Sequence, residues 1–332
     1  MSKELKIGVW GGGHLGKIHI RILKDLPGFK LIGFYDNSAD VRTAVEEQFG
    51  VKAFQSSEEL MDAVDCVDIV TPTLFHFEYA SAALRKFKHV FVEKPFTENA
   101  REAKILLELA HEAKVLVQVG HVERFNPAFQ AAFPHLSKIG FIEGHRLSQF
   151  NPRGTDVSVV QDLMIHDIDI VLSVVKSNVR KVYANGVAIV SDSPDICNAR
   201  IEFENGTVAN LTASRISMKN MRKMRFFQRD AYVSVDFLEK QTEILKLSDV
   251  DGEPDPFSPH IDLGPNKPKK QVWFNKPEVQ EQNAIQEELK AFYNSVVTGK
   301  DPAVSAYDGL RAVETAALIS EKVESEAKRY NK

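Results

Sequence analysis

The long and largely apolar stretch VVQDLMIHDIDIVLSVV at 159–175 contains several polar residues that could do chemistry. Asp162, His166 and Asp169 follow at the spacing i, i+4 and i+7, which places them on one face of a helix. The other positions make this predicted helix apolar almost all round, and a helix of that kind is buried. Burying carboxylates and an imidazole is costly unless they are paired or form a functional site. We therefore expect Asp162 to orient His166, whose imidazole could take a proton from a hydroxyl.

Two other interpretations of this helix remain open. A metal site would use the same side chains, although no second group of His or Cys at ligand spacing accompanies them. A structural polar cluster would make Asp162 the N-cap of the helix and His166 a core residue whose hydrogen bonds are satisfied.

A second chemical signal is the stretch VFVEKPF at 90–96, where an apolar strand pattern stops at Glu93, Lys94 and Pro95. If this strand ends at the ligand crevice of a parallel sheet, the Lys94 ammonium lies beside the ligand. It could then hydrogen-bond a substrate hydroxyl or exchange a proton with it. The Lys94–Pro95 bond could also be cis. The alternative is an exposed Glu93–Lys94 pair that only opens the following loop.

The motif GGGHLG directly follows the first predicted strand and matches G-x-G-x-x-G through Gly11, Gly13 and Gly16. Glycines there permit a tight turn and the close approach of a pyrophosphate, and the helix N-terminus offers free N–H groups to phosphates. Asp36, at the end of the second strand, could accept hydrogen bonds from the adenosine ribose hydroxyls. Its charge would repel a 2'-phosphate, which favours NAD over NADP, although Arg42 nearby keeps NADP open.

The segment TPTLFH follows another predicted strand at the same edge of the sheet. Its residues Thr71, Pro72 and His76 are therefore expected to border the nicotinamide half of the cofactor. The same segment is also a good helix start with Thr73 as its cap. The complete set of cofactor-binding candidates is Gly11, Gly13, His14, Leu15, Gly16, Asp36, Thr71, Pro72, His76, Glu93 and Lys94.

The first 120 residues alternate short apolar strands with segments long enough for helices, which predicts a series of βαβ units. Because the strand patterns are almost continuously apolar, they suit a parallel sheet covered on both faces. The predicted strands are 5–10, 31–36, 66–71, 89–93 and 115–120. We therefore predict an α/β protein with a doubly wound dinucleotide-binding domain over residues 1–121.

Residues 122–332 are predicted to form an α+β domain with a mostly antiparallel sheet. An Asn-Gly turn at 205–206 indicates a hairpin, and five prolines indicate a loop over 251–270. The predicted helices and strands of this half are 125–138, 161–175, 179–190, 198–214 and 231–237, with a helix ending at Gly299 and a last one at roughly 306–328.

The composition is that of an ordinary soluble globular protein, and 332 residues favour two domains. A formal net charge of −4 gives no reason to expect nucleic acid or a membrane surface as a partner. Cys66 and Cys197 are far apart, which argues against a disulfide framework and fits a reducing compartment. With no signal-peptide pattern and no apolar run of about 18 residues, we expect a cytoplasmic protein.

The chain resembles the Gfo/Idh/MocA family of NAD(P)-dependent sugar and inositol oxidoreductases. The resemblance rests on EKP at 93–95, D-x-x-x-H at 162–166 and the closing stretch DGLRAVETAALIS at 308–320. It implies a Rossmann domain followed by an open-faced sheet that commonly mediates dimers or tetramers. It also implies that Lys94, Asp162 and His166 form the catalytic trio.

Three segments are similar to the branch of that family that oxidises C3 of the sugar in UDP-N-acetylglucosamine: 119–129, 162–172 and 214–228. Residues 214–229, which include the last of these segments, carry six cations and no acidic residue: Arg215, Lys219, Arg222, Lys223, Arg225 and Arg229. Such a segment could bind a nucleotide diphosphate, or it could protect a sheet edge from pairing or lie in an interface. The substrate-binding candidates are Lys94, Arg124, Arg153, Asp162, His166 and Arg215.

Two other functions remain open from the sequence. Another sugar or inositol dehydrogenase of the same family would share the fold and the catalytic trio. A noncatalytic NAD-binding regulator would use the same scaffold, although we would then expect Lys94 or His166 to be replaced.

Overall fold

The structure is a computed structural model that describes residues 4–151, 157–250, 259–261, 264 and 269–330. The chain divides into two compact units, Met1–Val122 with Asn283–Ala317 and Glu123–Gln282 with Leu318–Lys332. None of the helices within the described ranges is both long and apolar enough to cross a membrane.

The first unit contains a parallel five-stranded sheet, which confirms the predicted doubly wound fold. Its strands are β1 (Leu5–Trp10), β2 (Phe29–Tyr35), β3 (Cys66–Ile69), β4 (His89–Glu93) and β5 (Val117–Gly120). They are ordered β2-β1-β3-β4-β5, and every neighbouring pair is parallel. The carboxyl ends of all five strands therefore meet at one edge of the sheet.

Five helices connect these strands: α1 (His14–Asp25), α2 (Ala39–Phe49), α3 (Ser57–Ala63), α4 (His76–Arg85) and α5 (Ala100–Ala113). Three of them start at a capping side chain that accepts a backbone N–H bond, namely Ser38, Ser56 and Asn99. Helix α1 differs because its N-cap is Gly13, which has no side chain to satisfy the first N–H groups. Those donors remain available to a ligand.

The second unit contains a nine-stranded sheet, ordered β13-β14-β12-β11-β10-β6-β9-β8-β7. All its neighbours pair antiparallel except β6 and β9, which confirms a mostly antiparallel sheet. The strands are β6 (Phe141–Leu147), β7 (Val179–Val187), β8 (Ile196–Phe203), β9 (Val208–Ser214), β10 (Met221–Phe227), β11 (Ala231–Asp236), β12 (Gln241–Asp249), β13 (His260–Ile261) and β14 (Lys270–Asn275). The Asn-Gly hairpin turn lies between β8 and β9 as predicted, with Gly206 at φ 88°.

Two helical segments accompany this sheet. Helix α6 (Pro127–Ala132) continues as a 3-10 turn over Phe133–His135, and a π-helical turn over Val160–Met164 leads into α7 (Ile165–Val175). In the region predicted as a loop, β13 forms a short pair with β14, while 251–258, 262–263 and 265–268 lie outside the described residues.

Helices α8 (Ala284–Thr298) and α9 (Ala306–Tyr330) follow at the end of the chain. Helix α8 ends at Gly299, whose φ of 68° fits the predicted C-cap. It buries Leu289 and Phe292 in the core of the first unit, where Phe292 contacts Phe29 and Phe91. Residues 283–317 therefore belong with the first unit, whereas the sequence had placed all of 122–332 in the second. The reason is this apolar face, which completes the core of the parallel sheet.

Candidate active site

The glycine loop between β1 and α1 is shaped by close backbone contacts. Gly11 has a φ of 108°, and a Cβ atom there would lie 2.6 Å from the carbonyl oxygen of Val70. A Cβ on Gly16 would lie 2.0 Å from the carbonyl oxygen of Gly11. A Cβ on Gly13, by contrast, would have no atom within 4 Å. Two glycines therefore allow the chain to pack, and the middle one leaves open space at the N-terminus of α1, where a pyrophosphate fits.

Asp36 directly follows β2 and faces this loop. Its carboxylate accepts the N–H of Gly12 at 2.8 Å with Oδ2 and that of Ser38 at 2.9 Å with Oδ1. Each oxygen keeps a lone pair that a ribose hydroxyl could use. Arg42 donates to the backbone carbonyls of Asp36 at 2.6 Å and Asn37 at 3.3 Å. These contacts hold its guanidinium on the backbone, so the residues at this position fit NAD better than a 2'-phosphate.

The other predicted loop residues differ in exposure. His14 and Pro72 are exposed, and Leu15 packs against the core of the first unit. Thr71 follows β3, and its buried Oγ1 has no hydrogen-bond partner among the described residues. An orphaned hydroxyl at the carboxyl edge of the sheet is a further place where a cofactor group fits.

His76 does not present a free ring nitrogen. Its Nδ1 lies 2.8 Å from the carbonyl oxygen of Pro95, and its Nε2 lies 2.9 Å from that of Thr71. The ring is buried, and burial lowers its pKa although the two carbonyls act in the opposite direction. It therefore ties the segment after β3 to the segment after β4. Thr73 is not a helix cap, because the 3-10 turn Thr73–Phe75 has no side-chain cap.

Glu93 ends β4, and Lys94 follows it at the same edge. The Lys94–Pro95 peptide bond is cis. The N–H of Lys94 donates to Oε2 of Glu93 at 3.1 Å. Glu93 is only 7% exposed, so the alternative of an exposed Glu93–Lys94 pair is wrong. Its carboxylate points into the first unit, where it meets His19, Asp68 and Glu288, three residues that the sequence analysis missed.

Asp162 lies in the π-helical turn before α7, and its N–H donates to the carbonyl of Ser158 at 2.9 Å. The N-cap of this turn is Val159, which has no capping side chain, and the Ser158 hydroxyl just before it accepts the N–H of Gln161 at 3.2 Å. The alternative that Asp162 is the N-cap is therefore wrong. Asp162 and His166 are both half-buried, and π-turns of this kind occur often at functional sites.

Asp169 and Arg124, both candidates from the sequence, are bonded to each other. The Nε and one terminal nitrogen of Arg124 donate to the two carboxylate oxygens of Asp169 at 2.7 and 2.6 Å. The carboxylate is 1% exposed and the guanidinium 13%. A bidentate pair of this kind is stronger than one with a single hydrogen bond. Arg124 therefore holds helix α7, and its positive charge is largely neutralised by Asp169 before any substrate binds.

A buried ion network beside this pair was also missed from the sequence. Arg146 on β6 donates to Asp167 at 2.8 Å and to Glu123 at 2.9 Å. Burial raises the pKa of Asp167 although Arg146 opposes this, and burial lowers the pKa of Arg146 less than the two carboxylates raise it. The alternation of β6, in which every second residue is buried, was the available signal.

The predicted cationic segment mostly has local partners. Arg215 is 6% exposed and donates to the carbonyl of Val157 at 2.5 Å. Lys223 pairs with Asp236, and Arg225 pairs with Glu143, each at 3.0 Å. Strand β10 lies between β6 and β11, so the edge-protection alternative is wrong. Arg153 lies outside the described residues.

Family comparisons agree with the geometry of both units. A model described as an oxidoreductase family with an NAD-binding Rossmann fold matches residues 5–121, and a Gfo/Idh/MocA C-terminal domain model matches 119–231. UDP-N-acetylglucosamine 3-dehydrogenase of Acidithiobacillus ferrooxidans is 33% identical over 97% of this chain and 98% of its own. A solved structure of that enzyme matches with a TM-score of 0.87 at 32% identity, over 97% of this chain and 98% of its own. Myo-inositol 2-dehydrogenase of Thermotoga maritima is 25% identical over 93% of each chain. The chain therefore belongs to the Gfo/Idh/MocA family of NAD-binding oxidoreductases.

Proposed function

We propose that this protein oxidises C3 of the sugar ring of UDP-N-acetylglucosamine and uses NAD as the electron acceptor. The observation that carries the proposal is the match to the Acidithiobacillus ferrooxidans enzyme, at 33% identity over 97% of the chain and with a TM-score of 0.87 for its structure. The inositol dehydrogenase is covered almost as fully but is only 25% identical.

The first unit supplies the cofactor site. The open space at Gly13 and the uncapped N–H groups of α1 receive the pyrophosphate, and Asp36 receives the adenosine ribose. When bound, NAD supplies the carbon that accepts the hydride. The chain's own contribution is to hold and orient the cofactor beside Thr71 and Lys94.

Lys94, Asp162 and His166 handle the proton of the substrate hydroxyl. In this proposal His166 or Lys94 accepts that proton as the alcohol becomes a ketone, and Asp162 keeps the imidazole oriented. A lysine ammonium can also hydrogen-bond the hydroxyl and hold it in place.

Arg124 and Arg215 are bonded to other groups of the protein. We therefore propose a different cation for binding the diphosphate. Lys219 is exposed and has no acidic partner among the residues that the structure describes. Its turn is held beside the end of β6, where Gln149 donates to the carbonyl of Met218 at 3.0 Å. We propose Lys219, with Arg153, as the charge that meets the diphosphate.

The open face of the second sheet supports a homodimer or homotetramer. A row of apolar side chains pairs across five strands: Phe141, Phe227, Tyr232, Leu245 and Phe274. Phe274 is 68% exposed and Phe227 38%. An apolar row of this size on a surface marks an interaction site, and we propose that a second copy of the chain covers it in the cytoplasm. Sedimentation of Phe274→Lys would then show a smaller species than the wild type.

The activity test follows NADH absorbance with UDP-N-acetylglucosamine, UDP-glucose and myo-inositol. We expect turnover with the first, and losses of at least about a hundredfold in Lys94→Ala and His166→Ala. Lys86→Ala is the matched control, because Lys86 is an exposed lysine that pairs with the exposed Asp62. Turnover of myo-inositol without turnover of any nucleotide sugar would refute the substrate, and normal turnover in both variants would refute the roles of these residues.

A further inference from the structure

A cluster of four ionisable side chains lies buried behind Lys94. It consists of His19 on α1, Asp68 on β3, Glu93 at the end of β4 and Glu288 on α8. His19, Asp68 and Glu288 are 0% exposed, and Glu93 is 7% exposed. Three carboxyl groups and one imidazole in one apolar core are far outside ordinary core composition.

A series of contacts links this cluster to Lys94. His19 Nδ1 lies 2.9 Å from Oδ2 of Asp68, and its Nε2 lies 3.4 Å from Oε1 of Glu93. The ligand atoms of His19, Glu93 and Glu288 all lie within 4.8 Å of one another. Oε2 of Glu93 then accepts the N–H of Lys94 at 3.1 Å. The chain of contacts therefore starts in the core and ends at the backbone of Lys94.

Two neighbouring residues, Gly120 and Gln118, fit the chain around Glu93 and Glu288. A Cβ atom on Gly120 would lie 2.9 Å from the carboxyl carbon of Glu93, so glycine leaves room for it. The Gln118 amide donates to the carbonyl oxygen of Glu288 at 2.7 Å and fixes that turn of α8. Both carboxyl oxygens of Glu288 are buried without a hydrogen-bond partner among the described residues.

We propose that His19, Asp68 and Glu288 share protons and hold the Glu93 carboxylate, and that this network positions Lys94 for the reaction. The proposal rests on the proposed function, because it gives Lys94 a role in orienting or deprotonating the substrate hydroxyl. His19, Asp68 and Glu288 are positioning residues, which act through the Glu93 carboxylate and the Lys94 N–H.

Charge balance supports the shared protons. With all three carboxyl groups ionised and an imidazolium, the buried cluster would carry a charge of −2. Burial raises the pKa of Glu288, and the neighbouring Glu93 adds to this, so Glu288 keeps its proton. Burial lowers the pKa of His19, but Asp68 and Glu93 outweigh it and leave the pKa well above the ordinary value. A protonated Glu288 reduces the charge of the cluster to −1, and its carboxyl lies within 4.8 Å of the ligand atoms of His19 and Glu93.

A cation is the rival occupant of this cluster. A histidine that binds a metal through one ring nitrogen often donates the other ring N–H to a carboxylate. Nδ1 of His19 has such a carboxylate neighbour in Asp68. Metal analysis of the purified protein decides between the two. Close to one equivalent of a divalent metal in the wild type, lost in Glu288→Gln, would overturn the shared-proton network.

The kinetic test compares two variants at Glu288 with a neighbouring control. Glu288→Leu replaces the protonated carboxyl group near Glu93 with an apolar side chain, so we expect kcat to fall about tenfold or more while the KM for NAD stays near the wild-type value. Glu288→Gln keeps a donor of the same shape and should restore most of kcat. Glu287→Gln is the control, because Glu287 pairs with Lys290 outside the cluster. A purely structural role would lower the melting temperature of Glu288→Leu without this split between kcat and KM.

The protonation state is measured separately from activity. Ring nitrogen shifts of His19 at about pH 8, above the range in which ordinary histidines lose their charge, should still be those of an imidazolium. If Lys94→Ala has full activity, the proposed function fails even though the His19 spectrum is unchanged. If Lys94→Ala is inactive but Glu288→Leu has normal kcat, or if His19 is neutral, the network inference alone is overturned.

Discussion

Gly13 offers a test that separates cofactor binding from folding. It is the N-cap of α1, its φ of −67° and ψ of −167° are extended and suit any residue, and a Cβ there would meet no atom within 4 Å. Serine is a better N-cap than glycine by a few tenths of a kcal/mol. Gly13→Ser should therefore fold with unchanged or slightly higher stability.

The same substitution should damage the cofactor site. The new side chain occupies the open space assigned to the pyrophosphate, and its hydroxyl would accept N–H groups that the phosphates need. Losing one hydrogen bond to a charged group costs about 1.5–3 kcal/mol, which corresponds to roughly 10- to 150-fold weaker NAD binding. NADH fluorescence titration measures the affinity, and thermal unfolding measures the stability.

Gly16→Ala is the contrasting variant. Its Cβ would lie 2.0 Å from the carbonyl oxygen of Gly11, so it should lower the melting temperature before any cofactor is added. If the affinity of Gly13→Ser for NADH is within twofold of that of the wild type, the pyrophosphate does not lie at this loop. The interpretation of the glycine motif is then wrong.

Three other predictions follow from the second unit. Asp195 accepts three backbone N–H bonds and has a pKa lowered to about 2 against the cost of burial. Its contribution of roughly 2 kcal/mol should therefore be present above about pH 4 and be lost towards pH 2, and acid unfolding of Asp195→Asn should lack this step. Arg146→Ala leaves two buried carboxylates uncompensated and should cost about 3–5 kcal/mol in urea unfolding, whereas Arg225→Ala, at a partly exposed pair, should cost under about 1 kcal/mol. Burial raises the pKa of Cys197 to about 12, so it should resist alkylation in the folded protein and react only in denaturant.

The features predicted well from the sequence depend on short stretches of chain. The glycine loop, Asp36 after β2 and the strand that ends at Glu93 are local patterns, because strand period, turn chemistry and helix start all lie within a few residues. The helix that carries His166 was predicted from its apolar stripe in the same way. The π-turn at its start was not, because helical spacing assumes a constant number of residues per turn.

The features that the sequence did not reveal depend on partners far along the chain. Helical spacing predicted that Asp169 lies near Asp162 and His166. It did not predict the guanidinium partner of Asp169, Arg124, which lies 45 residues earlier. His19 and Asp68 are 49 residues apart, and Glu288 joins them only because α8 returns to the first unit. Pairing of this kind follows from the fold, and a single sequence does not display it.

Buried carboxyl groups have different partners in the two units. This difference predicts which unit's stability depends on pH. In the second unit Asp167 and Asp169 meet guanidinium groups, which stay charged throughout the accessible range. In the first unit the cation is His19, and Glu288 must keep a proton. Both groups have folded pKa values above their unfolded ones, so their contribution is complete below the unfolded pKa and is lost as pH rises.

For Glu288 the loss begins above about pH 4.3, and for His19 above about pH 6.5. Glutamine has no proton to lose, so Glu288→Gln should gain stability relative to the wild type as pH rises through this window. Urea unfolding of both proteins across the range measures the difference, and Glu287→Gln should follow the wild type. Parallel curves for wild type and Glu288→Gln would mean that Glu288 is ionised in the folded protein, because only a group with an unshifted pKa leaves stability independent of pH.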